Sequence, residues 1–189
     1  MLGRSLLSLR DLVDTTLSEI RIAANQQRRE RVAVTALLTE IAVAGALHAD
    51  ARGLDFAVEL GDPAWVVTAD PQLLASAVTN LLNNAFKYTA TGGRVLLRAT
   101  VNDEAHLLID VEDECGGIPE SEGDPFQSFG RQRGRDRTGL GLGLSIARKA
   151  VRAHGGDIHI RNLPGQGCIF TIDVPLAAQE TPSLPGNAP

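Results

Sequence analysis

The stretch Asp70-Pro71-Gln-Leu-Leu-Ala-Ser-Ala-Val-Thr-Asn80-Leu-Leu-Asn-Asn84-Ala-Phe-Lys87-Tyr88 reads as one helix with two dissimilar faces. Asp70 is placed to accept hydrogen bonds from the free amides of the first turn, and Pro71 occupies the first helical position, where its missing N–H costs nothing. The helix runs from there through the asparagine-rich motif to about Tyr88. Asn80, Asn84, Lys87 and Tyr88 are separated by steps of four, three and one, which holds them within an arc of about 100 degrees. Two amides, an ammonium and a phenol on one stripe make an unusual core face and a suitable ligand face.

The elements on either side of this helix follow from alternation and turn signals. Upstream, Arg31–Val34 reads as a short strand, Thr35–Ala51 as a helix closed by Gly53, and Leu54, Phe56, Val58 and Leu60 as an alternating strand. Gly61-Asp-Pro63 turns the chain into a strand at Trp65–Thr68. Downstream, Gly92-Gly93 leads to a strand over Arg94–Thr100, and Asn102-Asp103 makes a hairpin to Leu107–Val111. A helix over Leu144–Ala153 ends at Gly155-Gly156, and Asp157–Asn162 pairs with Cys168–Val174 across Pro164–Gly167. This order predicts an α/β protein of the α+β two-layer sandwich type, with a mixed sheet covered by helices on one face.

A long amphipathic helix is expected ahead of it, since Leu2, Leu6, Leu9, Val13, Thr16, Ile20 and Ala23 alternate steps of four and three. That seam implies a partner, most simply the same helix of a second chain. The expected domains are residues 1–27 as a truncated dimerisation helix, 28–176 as a catalytic domain, and 177–189, rich in proline and small residues, as a disordered tail.

Two further patterns have the composition of phosphate and base sites. Gly139-Leu140-Gly141-Leu142-Gly143-Leu144 directly precedes a helix, where free amides and the helix dipole favour a polyanion. Asp113-Glu-Cys-Gly-Gly117-Ile118 follows a buried-looking strand and opens a turn with a carboxylate. A carboxylate there can accept from an amino group and repels a carbonyl presented at the same place. Between them, Gly116–Thr138 has no periodicity and carries Arg131, Arg133, Arg135 and Arg137, together with Phe126 and Phe129. It reads as a lid.

Taken in order, the asparagine stripe, Asp113–Ile118, Phe126–Phe129 and Gly139–Ile146 resemble the N box, first glycine box, F box and second glycine box of the sensor histidine kinases. Their ATP-binding domain is shared with DNA gyrase and mismatch-repair ATPases. The resemblance implies ATP and Mg²⁺ as cofactors, with Asn84 as the metal ligand, and Asn84, Lys87 and Arg137 as the catalytic residues. It places Asn80, Lys87, Tyr88, Asp113, Gly117, Ile118, Arg137, Thr138 and the glycine-leucine run from Gly139 to Leu144 around the nucleotide. Tyr88 fits the base or sugar and fits the core equally well. The sequence departs from the family at Cys115, where many relatives have glycine, and in lacking a phosphoacceptor motif. None of His48, His106, His154 and His159 has the acidic neighbour such a motif requires, and His154 is expected to cap a helix end.

The implied function is phosphoryl transfer to a histidine outside this chain, and thence to a response regulator, with homodimerisation through the first helix. Two alternatives stand beside it. A dimeric nucleotide-binding module without kinase activity would explain the missing histidine. An ATP hydrolase would need a general base one turn before Asn84, where this chain has Asn80, and an amide cannot serve. A net charge of −5 argues against nucleic acid. The longest apolar run, Ile41–Leu47, is too short for a bilayer, so no membrane span and a cytoplasmic location are expected, alone or as the cytosolic part of a larger receptor. Cys115 and Cys168, only two cysteines, make neither a metal set nor a disulfide framework and read as reduced thiols.

Overall fold

The structure is a computed structural model that describes residues 28–119, 123–126 and 143–178. The expected helix over 2–25 therefore lies outside the described residues, as do most of the lid and the tail beyond 178. The described elements run β1 (Glu30–Ala33), α1 (Val34–Arg52), β2 (Asp55–Glu59), β3 (Val66–Ala69), α2 (Pro71–Tyr88), β4 (Arg94–Val101), β5 (His106–Asp113), α3 (Gly143–Arg152), β6 (Asp157–Leu163) and β7 (Gly167–Pro175).

Five strands form one mixed sheet in the order β2-β4-β5-β7-β6. β2 runs parallel to β4, and every other pairing is antiparallel. The single parallel pair follows from the connection between its strands, because β3 and α2 intervene and allow a crossover that a tight hairpin cannot make. Along β5 the residues alternate strictly, with Leu107, Ile109, Val111 and Asp113 buried and the intervening ones half-buried. That pattern marks a sheet with one face covered by helices and one open to solvent.

β1 and β3 stand outside this sheet and form a separate antiparallel ribbon, joined to the end of β7 through a bridge between Val67 and Leu176. The chain continues past β7 in the same ribbon, where the amide of Ala177 donates to the carbonyl of Val66 and Arg31 donates to Ala178.

α2 forms where its cap and apolar spacing place it. The Asp70 side chain accepts from the amides of Gln72 and Leu73 at 3.0 and 3.1 Å. Leu73, Leu74, Leu81, Leu82 and Phe86 are all essentially inaccessible, and each such side chain contributes about 1.5–3 kcal/mol of burial free energy. α2 packs on both β5 and α3, so it is the post around which the site is assembled.

α3 is fixed at its far end by Arg148 and Arg152, whose guanidinium groups grip Asp157 at the start of β6. The two arginines hold the Asp157 carboxyl well below the usual carboxylate range. α1 closes at Gly53, which takes the left-handed conformation with φ 65° and donates to Ala49 and Asp50. By length and composition α1 would be long and apolar enough to cross a membrane. Here it packs on α2 and the β2 edge, with Val34, Leu38 and Ala49 buried and Val43 and Leu47 exposed.

Candidate functional site

The polar stripe of α2 stands at the seam between α2 and α3. Asn80, Asn84, Lys87 and Tyr88 are all half-buried. The Asn80 amide reaches the first residue of α3, and a Cβ added to Gly143 would sit 3.1 Å from its Oδ1. A side chain at Gly143 would make a tight contact that the Asn80 amide would have to relieve by a few tenths of an ångström. Asn84 lies one turn further along the same stripe, and its amide oxygen is a hard ligand suited to a divalent cation of the Mg²⁺ type. Lys87 Nζ stands 5.2 Å from the centroid of the Tyr88 ring, so the ammonium and the phenol occupy one corner of the stripe.

Asp113 is the last residue of β5 instead of the first residue of a turn, and it is almost completely buried. Its Oδ1 accepts from the amide of Cys115 at 3.0 Å, which orients the carboxylate. Gly116 and Gly117 then turn the chain with φ of 83° and 91°, a conformation that favours glycine. Gly117 has a second constraint that the sequence does not reveal. A Cβ there would come within about 3 Å of Asn162, Pro164 and Leu163, so the β6–β7 turn crowds this position.

Asn162 itself was missed by sequence reasoning. Its side chain accepts from the amide of Ile118 and donates to the carbonyl of the same residue, both at 2.8 Å. This two-pronged clamp makes the Asp113–Ile118 turn a fixed wall, and no spacing or composition signal marks Asn162 for it. Leu144 is buried at the start of α3. Phe126 packs on the core, with the guanidinium of Arg148 4.5 Å above its ring, in keeping with an anchoring role for this part of the chain. Arg137, Thr138, Gly139, Leu140, Gly141 and Leu142 lie outside the described residues, as do Phe129 and the other lid arginines.

A cleft of about 420 Å³ opens beside the β6–β7 turn, lined by Glu112, Asp113, Glu114, Leu163, Gly165, Gln166 and Gly167. Its carboxylates would repel a polyphosphate, so it is not the place for one. The stripe of α2, with its cation and amides, has the complementary character.

Among the histidines, His154 does more than cap a helix end. It is buried behind α3 and its Nε2 accepts from the amide of Asp70 at 3.0 Å, linking the end of α3 to the start of α2. Burial, with the nearby Arg29 cation, lowers its pKa. His48 packs edge-on against Phe86, and His106 pairs with Asp173.

Residues 69–178 match the family described as Histidine kinase-, DNA gyrase B-, and HSP90-like ATPase, which is more than half of the chain. The chain belongs to this ATPase family. Among its curated relatives, the sensor histidine kinase WalK of Bacillus subtilis is 36% identical over 132 residues, covering 67% of this chain and 22% of its own length. The alginate biosynthesis sensor protein KinB of Pseudomonas aeruginosa is 32% identical over 171 residues, covering 87% of this chain and 28% of its own length. The chain thus spans less than a third of either relative. Among solved structures, full-length ShkA in complex with AMPPNP superposes with a TM-score of 0.75 at 29% identity, over 94% of this chain and 37% of that one. The mycobacterial sensor histidine kinase MprB superposes with a TM-score of 0.66 at 29% identity, over 80% of this chain and all of that one. In this ATPase family the α/β fold with a mixed sheet is shared, and ATP binding goes with the fold.

Proposed function

We propose that this chain is the catalytic, ATP-binding part of a two-component sensor histidine kinase, which transfers the γ-phosphoryl group of ATP to a histidine on a separate domain and thence to a response regulator. The observation that carries this reading is the meeting of the asparagine stripe with the start of α3, where Asn80 lies against Gly143. Asp113 is assigned to reading the adenine amino group, and Lys87 and Arg137 are assigned to the phosphates. Tyr88, Gly117, Ile118 and the run from Thr138 to Leu144 complete the nucleotide site.

The donor set fits a magnesium ion in one respect. Mg²⁺ keeps several waters and needs few protein ligands, and Asn84 offers one half-buried amide oxygen. When bound, the ion would neutralise charge on the phosphate oxygens. The protein's own share is positioning and charge stabilisation, which dominates phosphoryl transfer. Residues 1–27 are assigned as a dimerisation helix, residues 28–176 as the catalytic domain and residues 177–189 as a tail, working on the cytosolic side with a second copy of the chain as partner.

The hydrolase alternative is disfavoured by the position of Asn80. Its amide has no proton-accepting strength and it is packed against α3. The test is transfer in trans: the chain is mixed with γ-labelled ATP and an isolated phosphoacceptor domain of a related kinase. Acid-labile, base-stable label on the acceptor, abolished by Asn84→Ala, is the expected result. Release of inorganic phosphate with no labelled acceptor would favour the hydrolase, and neither product would favour a non-catalytic nucleotide-binding module. Label on this chain's own histidines would contradict the assignment of the acceptor to another domain.

A further inference from the structure

Asp113 ends β5 directly opposite Cys168, which begins the exchange of hydrogen bonds along β7. Cys115 lies two residues past Asp113 on the turn that reverses toward β7, and its Sγ stands 3.5 Å from the Sγ of Cys168. One carboxylate oxygen and the two sulfur atoms all lie within 4.8 Å of one another. Asp113 and Cys168 are buried and Cys115 is half-buried. Two cysteines alone are too few for a metal set, but the fold adds a carboxylate as third donor.

We propose that Asp113, Cys115 and Cys168 form a site for a thiophilic divalent cation of the Zn²⁺ class, and that its occupation excludes the adenine base from Asp113. The exclusion rests on the reading of Asp113 given above, whereas the cation site stands on geometry alone. Two sulfur ligands at about 2.3 Å from a tetrahedral ion lie about 3.8 Å apart, so the observed separation needs an adjustment of only a few tenths of an ångström. Two thiolates select a borderline-soft ion over Mg²⁺ or Ca²⁺, and the carboxylate is an ordinary third ligand for zinc. The half-exposed side of Cys115 leaves a fourth position for water.

A disulfide is the competing outcome for two neighbouring thiols, and it is less well served. Its sulfurs must close to about 2.05 Å, and the attacking species is the thiolate. Burial and the neighbouring Asp113 carboxylate push the Cys115 thiol far up from its usual value, which suppresses attack on an oxidant. A divalent ion meets the same crowding differently. It releases one proton from each thiol on binding and balances charges that cannot otherwise coexist in so small a space.

The experiment titrates Co²⁺ into the full chain under a phosphine reductant and follows thiolate-to-metal charge-transfer absorption. One equivalent should give a tetrahedral spectrum that Zn²⁺ displaces. Losing an outer-shell partner of a metal ligand already costs about 10–100-fold, so removal of a ligand in Cys115→Ser or Cys168→Ser should weaken binding by at least about 100-fold. Cys168 is buried, and Cys115→Ser decides the matter if Cys168→Ser does not fold. In a second arm, Mg-ATP binding is measured with free Zn²⁺ fixed by a metal buffer; affinity should fall in the wild type and not in Cys115→Ser. Co²⁺ binding without charge transfer, binding unchanged in Cys115→Ser, or loss of titratable thiols with no bound metal would overturn the cation site. Cation binding with unaltered ATP affinity would overturn the exclusion. A chain that binds Co²⁺ through both thiols yet fails to bind ATP would count against the kinase reading and leave the cation site intact.

Discussion

Asp70 joins three parts of the structure, and removing its side chain should have a defined cost. The Asp70 carboxylate accepts from the amides of Gln72 and Leu73 through Oδ1 and from the amide of Arg28 through Oδ2, at 3.0, 3.1 and 3.2 Å. Losing an N-cap costs about 0.5–2 kcal/mol, and a buried donor left without a partner costs about 1–3 kcal/mol. Asp70 is 4% exposed and Leu73 is buried, so water cannot replace the bond to Leu73, whereas the amides of Gln72 and Arg28 are better hydrated. Asp70→Ala should therefore cost about 2 kcal/mol, roughly a 30-fold fall in the folding constant, or about 4–8 °C in Tm for a domain of this size. Asp70→Asn keeps an acceptor for Gln72 and Leu73 but turns its NH2 toward the Arg28 amide, so its stability should lie between those of Asp70→Ala and the wild type. Urea unfolding monitored by circular dichroism gives the free energies, and hydrogen exchange reports whether the first turn of α2 frays. If alanine and asparagine variants are equally stable, the cap does not hold α2 and the argument from local structure to site fails.

Other perturbations test separate links. Asn84→Ala should weaken Mg-dependent nucleotide binding by roughly 10-fold or more, the usual scale of a lost charge-assisted contact, while Asn80→Ala should act mainly through its packing on Gly143; equal loss of metal dependence in both would refute the division of roles. Gly167→Ala places a Cβ 1.7 Å from the Asp113 carbonyl oxygen, and the strand shift it forces should cost about 1–3 kcal/mol or more in a stability measurement. His154 accepts from the Asp70 amide only when neutral, and its pKa is lowered in the fold. Its contribution to stability is thus full above the ordinary value near 6.5 and is lost as pH falls below that value toward the lowered one. A denaturation series from neutral to mildly acidic pH should show this slope in the wild type and a flatter one in His154→Gln, and identical slopes would contradict it.

Where one helix carries both its cap and its apolar period, the sequence was legible to the residue. The bounds of α2, Pro71–Tyr88, and the half-buried stripe at Asn80, Asn84, Lys87 and Tyr88 follow from local chemistry. So do the β4–β5 and β6–β7 hairpins, whose turn residues fix their pairing. What the chain does not announce locally was misread or missed. β1 and β3 are four-residue strands whose partner choice depends on α1 lying between them, and nothing in either strand says that they pair with each other outside the main sheet. Asn162 and Ile118 are 44 positions apart, and Cys115 and Cys168 are 53 apart; contacts at such separations come from tertiary register, which a period or a motif does not encode. Gly117 shows the same limit, since its positive φ was legible while its crowding by the β6–β7 turn was not.

The central claim is that this fold presents a base-reading carboxylate at Asp113 and a cationic, amide-rich stripe for Mg-ATP. Calorimetric titration of the chain with Mg-ATP and with Mg-GTP, repeated on Asp113→Ala, tests it most directly. A hydrogen bond to a charged group is worth about 1.5–3 kcal/mol, so the wild type should prefer ATP by at least roughly 10-fold, and the variant should lose most of its ATP affinity while gaining none for GTP. Equal affinity for the two nucleotides, or ATP binding unchanged in Asp113→Ala, would contradict the account.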